Sequence, residues 1–318
     1  MIVTITMNPA IDKSTTADRF IPEKKLRCDK LLIEGGGGGI NVSKAVKKLG
    51  GESLAIFPSG GTNGTILERY LSAQEINFHT IPVEQDTREN MVVTETSTNF
   101  QFRFVMPGES LDPAVAQSVL KLLNSLPVKP TIIVASGSLP PGIPDDFYAQ
   151  VAKLAQQLDA KCIVDTSGVP LELAAEQGVF LLKPNLTELG KMVGKDKLEL
   201  NEVDDAAIEI IKKGKCKIIV VSLGSSGALL VTEKGYEHVP APTVKKQTTV
   251  GAGDSMVAGM AWMLSQGKTL REMIRFGVAC GTAATMNTGT QLFNTENVFH
   301  LYEWINKSGE RYVLNFDN

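Results

Sequence analysis

Short unbroken runs of apolar, mostly β-branched residues recur along this chain, at 2–6, 54–58, 131–135, 162–165, 180–183 and 217–222. A strand with one wet face alternates apolar and polar residues. A strand covered on both faces has no wet face to show, so it reads as continuous hydrophobicity. Segments with helical periodicity lie between these runs. In 41–49, Val42, Ala45, Val46 and Leu49 fall on one stripe, and Gly50-Gly51 follows as a stop. Segments 144–158 and 203–213 have the same character. Strands alternating with helices predict an α/β fold, with a mostly parallel central sheet and helices on both faces. Ligands of such sheets bind beyond the carboxyl ends of the strands.

Two stretches break the rhythm. Residues 13–34 lack a helical pattern. In 89–106, Phe100, Phe102 and Phe104 face one way while Gln101 and Arg103 face the other, the period of a strand with one apolar face. Residues 91–94 are its expected hairpin partner, with 96–99 as the turn. The reading is a core domain of 1–12, 35–88 and 107–318, and a small β-sheet lid of 13–34 and 89–106. The apolar lid face has to be covered, which predicts a homodimer through the lid.

The chain has 318 residues, 43% hydrophobic and 21% charged, enough apolar material for a large core. A net charge of -3 leaves no broad basic face, which argues against nucleic acid as a partner. Cys28, Cys162, Cys216 and Cys280 are far apart, and His79, His238 and His300 are scattered, so neither a zinc site nor a disulfide framework is expected. The N-terminus lacks a signal-peptide pattern, and no apolar run approaches the ~20 residues of a membrane helix. A cytoplasmic protein is expected, with no membrane partner.

Four segments carry chemistry. In 249–256, Gly251-Ala252-Gly253-Asp254 precedes a helical pattern from Met256. Backbone amides freed there form an anion hole at a helix N-terminus, with Asp254 beside it as a proton acceptor. The plainer reading is an N-cap and a turn. The run from Gly35 to Gly39, then Ile40-Asn41, suits backbone lying against a ligand; a hinge is the alternative. In Lys183-Pro184-Asn185-Leu186-Thr187-Glu188, the amide and carboxylate three apart suit the water shell of Mg²⁺ or a helix capping box. Ser222, Gly224 and Gly227 follow a strand and suit nucleotide phosphate or ribose, or a plain hairpin turn.

No GxxxxGK[ST] loop, protein-kinase signature set or dinucleotide fingerprint is present. Taken in order, Thr6-Met7-Asn8-Pro9-Ala10-Ile11-Asp12, the glycine run, Lys183-Pro184-Asn185-x-x-Glu188 and 249–256 resemble the PfkB (ribokinase-like) family of carbohydrate kinases over nearly the whole chain. The resemblance implies an ATP- and Mg²⁺-dependent sugar-phosphate kinase with a ribokinase-like fold. Gly38 stands where the branches acting on fructose 1-phosphate and tagatose 6-phosphate typically carry lysine. This implies phosphorylation of the C1 hydroxyl of fructose 6-phosphate, with those two sugars as alternatives and a catalytically idle sugar-phosphate-binding regulator as the rival class. By resemblance, Asp254 is the base and Gly251, Ala252 and Gly253 line the anion hole. Asp12, Gly36, Gly37, Asn41 and Ser138 contact the sugar. Arg88 binds its phosphate, with Lys25 and Arg27 as helpers. Lys183, Asn185, Glu188, Ser222, Gly224 and Gly227 lie on the ATP side, with Asn185 and Glu188 holding Mg²⁺ through water. A possible K⁺ site is implied at Val250, Ala284, Asn287 and Gly289.

Overall fold

A computed structural model describes residues 1–214, 216–287 and 291–309. The chain begins with β1 (Ile2–Ile5), β2 (Ala10–Ala17), β3 (Leu32–Gly36), α1 (Gly38–Lys48), β4 (Ser53–Ser59), α2 (Gly61–Ala73) and β5 (Asn77–Pro82). It continues with β6 (Arg88–Glu95), β7 (Gln101–Val105), α3 (Ala114–Ser125), β8 (Ile132–Ser136), α4 (Phe147–Gln157), β9 (Lys161–Asp165) and α5 (Val169–Gln177). Then come β10 (Leu181–Leu182), α6 (Leu186–Met192), α7 (Val203–Lys213), β11 (Ile218–Ser222), β12 (Ala228–Thr232) and β13 (Gly235–Val239). The chain closes with α8 (Ala252–Ser265), α9 (Leu270–Ala284) and α10 (Thr295–Gly309).

The large sheet runs β13-β12-β11-β10-β9-β8-β1-β4-β5. Its strands are parallel except β12, which opposes both neighbours. The turns 223–227 and 233–234 are too short for a crossover, so the chain doubles back there. Every apolar run noted in the sequence is a strand of this sheet, and successive side chains pack on opposite faces. Ile133 and Ala135 join the layer formed with α3, α4 and α7, while Ile132 and Val134 join the layer formed with α1, α8 and α9. Covering both faces in this way is why the runs lack alternation. Among the described residues, no helix is long and apolar enough to cross a membrane.

From β1 the sheet grows to one side through β4 and β5, and to the other through β8, β9, β10 and β11. Strand order therefore reverses at β1. A crevice opens at such a reversal, beyond the carboxyl ends of the strands. Segments after β1, β8, β9, β10 and β11 all lead into it.

A second sheet has the order β3-β2-β6-β7. Phe102 pairs with Val93 and Phe104 with Met91, so the expected hairpin is present. Its strands reach further than the sequence boundaries: β2 starts at Ala10, β6 at Arg88, and β3 runs to Gly36. The reason is local. Ile11 is fully buried in a cluster with Leu67 and Leu71 of α2, which fixes the base of the sheet against the core. Two helices also start earlier than their apolar stripes: α1 at Gly38 within the glycine run, and α8 at Ala252 rather than Met256. The first turn of α1 lies against other backbone, where only small residues fit. A Cβ on Gly39 would come within 2.6 Å of the Ile5 carbonyl oxygen.

Candidate active site

Asp254 lies in the first turn of α8, which is preceded by Gly251 in a left-handed conformation (φ 72°). That conformation favours glycine. It turns the chain so that the helix begins with the amides of Gly253 and Asp254, and neither has a backbone hydrogen-bond acceptor among the described residues. Free amides at a helix N-terminus carry partial positive charge and attract anions. The Asp254 carboxylate accepts from the Asn41 side-chain amide at 2.9 Å. Burial pushes its pKa up to about 6, with Asp165 adding to the rise, while Asn41 and Lys183 oppose it. Asp254 is thus a carboxylate poised near neutrality, the range suited to a general base.

Lys183 follows β10, and its ammonium lies 3.0 Å from the Asp165 carboxylate. Burial pulls the ammonium down, but Asp165, with Glu188 and Asp254, together leave its pKa raised. A Cβ on Gly253 would sit 3.6 Å from the Lys183 Nζ, so this cation abuts the turn of free amides. Asp165 is absent from the residues that the sequence reading selects. Its signal there is a charged residue closing an otherwise apolar buried strand.

The glycine run is closely packed against the core. A Cβ on Gly36 would meet the Asp12 carboxylate at 2.0 Å, and one on Gly38 would meet the Ser136 hydroxyl at 2.3 Å. Asp12 accepts from the Asn90 amide at 2.8 Å. Burial raises the Asp12 pKa, against the lowering effects of Asn90, Lys44 and Arg88. Lys44 is a buried cation beneath the run and donates to the Gly35 carbonyl at 2.8 Å. Arg88 donates to the carbonyls of Asn8 at 3.1 Å and Met106 at 2.6 Å. The Asn8 amide in turn reaches the Pro107 carbonyl at 2.9 Å and the Ser138 hydroxyl at 3.3 Å. A cavity of about 570 Å³ opens here, lined by Asn8, Arg88, Met106, Pro107 and Ser138. Asn8 and Asn90 sit inside segments read from the sequence, yet neither stands out there, because an amide gains a role only from what faces it.

A second cavity of about 420 Å³ is lined by Ser222, Gly224, Gly227, Thr249, Ala252 and Gly253, with Pro242, Val244, Met256 and Val278 as apolar wall. It has the form of a nucleotide site: backbone and small polar groups at one end, an apolar slot at the other. Residues 223–227 are also the hairpin turn between β11 and β12, so the plain-turn reading of that segment is realised.

Asn185 and Glu188 form a reciprocal capping box at the start of α6, with bonds of 2.9 and 2.8 Å. The capping reading is therefore realised. Burial raises the Glu188 pKa, with Asp165 among the lesser contributions. Lys25 and Arg27 lie exposed in the loop between β2 and β3. At the other end of the site, the Val250 amide donates to the Thr248 hydroxyl at 3.1 Å, and the Asn287 side chain is engaged with the Leu292 carbonyl. The Ala284 carbonyl, at the end of α9, receives a long 3.4 Å bond from the Asn287 amide. Gly289 lies outside the described residues.

Residues 1–297 match the pfkB family carbohydrate kinase. The ATP-dependent 6-phosphofructokinase isozyme 2 of Escherichia coli strain K12 is 40% identical over 311 residues, covering 96% of this chain and 99% of that protein. Solved structures of E. coli phosphofructokinase-2 superpose with TM-scores of 0.91 for a complex with potassium, at 41% identity, and 0.89 for a complex with fructose-6-phosphate, at 39% identity; each covers 96% of this chain and 99% of that one. A ribokinase from Arabidopsis thaliana matches with a TM-score of 0.75 at 20% identity, covering 95% of this chain and 98% of that one, a likeness of fold alone. The crevice, the turn of free amides with its carboxylate, and these matches agree: the chain belongs to the pfkB family of carbohydrate kinases, with the ribokinase-like fold.

Proposed function

We propose that this protein transfers the γ-phosphoryl group of ATP to the C1 hydroxyl of fructose 6-phosphate, giving fructose 1,6-bisphosphate. One observation carries the reading: the Asp254 carboxylate, raised toward neutrality, stands beside unpartnered amides and the Lys183 ammonium. Phosphoryl transfer needs positioning and charge stabilisation more than covalent help. Asp254 takes the proton from the attacking hydroxyl. The amides of Gly251, Ala252, Gly253 and Asp254 and the Lys183 ammonium stabilise the charge on the moving phosphoryl group. Asp12, Asn41, Gly36, Gly37 and Ser138 orient the sugar, and Arg88 takes its phosphate, with Lys25 and Arg27 as helpers. The sugar assignment is supported by the likeness to a protein named 6-phosphofructokinase and solved with fructose-6-phosphate.

The donor set beside Lys183 fits a magnesium ion that keeps several waters. Glu188 has one oxygen engaged in the Asn185 cap and one left, and among the described residues no cluster of three acidic, His or Cys ligands exists. One or two carboxylates are what Mg²⁺ takes when substrate phosphates supply the rest. When bound, the ion neutralises phosphate charge. For a potassium ion the candidate oxygens are those of Val250, just before α8, and of Ala284 and Asn287 at the end of α9, where a helix C-terminus presents under-bonded carbonyls of negative partial charge. A cytoplasmic location belongs with this reading, since ATP is supplied there.

The test is ADP release with fructose 6-phosphate, followed by identification of the phosphorylated carbon. Preference for fructose 1-phosphate or tagatose 6-phosphate would reassign the sugar, and sugar-phosphate binding without ADP release would favour a regulator. Arg88→Ala is expected to raise the KM for fructose 6-phosphate by roughly 10–100-fold, the worth of one or two charge-assisted hydrogen bonds. An unchanged KM removes Arg88 from the site. The outer lid face exposes Phe104 at 46%, Ile33 at 43% and Met91 at 37%. We propose a homodimer through it. Sedimentation at micromolar concentration is expected to give a dimer in the parent and a monomer in Phe104→Asp.

A further inference from the structure

The lid strand β7 carries Gln101 and Arg103, and both touch the segment that leads into the turn of free amides. The Arg103 guanidinium donates to the Thr249 hydroxyl at 2.9 Å and to the Gln101 side-chain oxygen at 3.2 Å. That same Gln101 oxygen accepts from the Thr248 hydroxyl at 3.2 Å. The Thr248 oxygen in turn accepts the Val250 amide at 3.1 Å. A continuous hydrogen-bonded relay thus runs from β7, through a buried threonine, to the residue before Gly251. On its other side the segment is tied to the core. The backbone amides of Gln247 and Thr248 donate to the Thr285 carbonyl at 2.8 and 3.2 Å.

We propose that Gln101 and Arg103 are positioning residues through which the lid sets the geometry of the phosphoryl-binding turn. The proposal rests on the kinase reading above. Gly251, Ala252 and Gly253 have almost no side chain with which to hold the turn, so its shape depends on its neighbours. The Thr248 hydroxyl is a side-chain restraint placed just before it. With the lid on the core, that hydroxyl is oriented by Gln101, and its oxygen is directed at the Val250 amide. A lid displacement of about 1 Å takes the Gln101 contact beyond hydrogen-bond range. The anion hole is then fully organised only when the lid is down on the core, and lifting the lid loosens it, which restrains transfer of the phosphoryl group to water while the site is open.

The test uses the full-length protein with Gln101→Leu, Arg103→Ala and Thr248→Val. Gln101→Leu and Arg103→Ala are expected to lower kcat by about 10–100-fold, below or at the lower bound of a direct oxyanion donor, with the KM for the sugar phosphate changed less than about threefold. Thr248→Val, which breaks the relay from the core side without altering the lid, is expected to match them. Gln101→Leu combined with Thr248→Val should be no worse than either alone, as members of one relay are non-additive. Amide hydrogen exchange in the ligand-free protein gives a readout that needs no substrate. The Val250 amide is expected to exchange about tenfold faster in Gln101→Leu, while β2 and β6 keep their protection. Unchanged Val250 exchange with an intact lid, or additive losses in the double variant, overturns the proposal. If the parent phosphorylates no sugar, the kinase reading fails, and the exchange result still decides whether the lid controls the turn.

Discussion

Asp254→Asn is expected to lower turnover by ~10²–10⁴-fold, the usual worth of a positioned general base, while ATP binding stays close to that of the parent. The substitution keeps the size of the side chain, and its carbonyl oxygen can still accept from Asn41, which holds Asp254 at 2.9 Å. What disappears is the capacity to take a proton. The fold is not expected to suffer, because a carboxylate whose pKa is raised to about 6 by burial is held against a desolvation cost. The same pKa fixes the acid limb of the pH profile. The base works only when deprotonated, so kcat/KM should rise about tenfold per pH unit below about 6 and level off above it. The measurements are single-turnover rates with bound ATP and a pH series of kcat/KM. A variant turning over at parental speed would mean that another group takes the proton.

The second large effect is on stability. Lys183→Met is expected to cost about 3–5 kcal/mol, because it strips the partner from a buried carboxylate. The side chains of Lys183 and Asp165 are only 7% and 15% exposed, so water screens the pair weakly. Against a total stability of about 5–15 kcal/mol, that loss shifts the urea midpoint far. Replacing both members, Lys183→Met with Asp165→Leu, should recover much of the stability, since an apolar pair has no charge to desolvate. Activity should not return, because the cation beside Gly253 is gone. Equilibrium unfolding of parent, single and double variants checks this; a single variant as stable as the parent would show that the pair contributes no stability.

Much of the site was legible because the chemistry restricts residue type. Gly36 and Gly38 are glycines because an Asp12 carboxylate and the Ser136 hydroxyl occupy the space of a Cβ. Asp254 follows Gly-Ala-Gly because the turn needs a left-handed residue at Gly251 and then free amides. Other parts were not legible. Asp165, Asn8 and Asn90 are ordinary residues in sequence and acquire their roles from Lys183, Arg88 and Asp12, which lie far along the chain. The edge strands β5 and β13 lack the unbroken apolar pattern, since each is only partly covered.

The sequence by itself determined the layered α/β architecture, because a strand buried on both faces must be apolar throughout and a helix buried on one side only must be striped. It also determined where backbone packs tightly against other parts of the protein, because only glycine leaves room there. The tertiary structure alone decided which charges meet. The Lys183–Asp165 pair, the Asn41–Asp254 bond and the path from Gln101 through Thr248 to Val250 bring together residues that are distant in sequence. Such contacts depend on strand order and on how the small sheet leans on the core, and local periodicity carries no information about either.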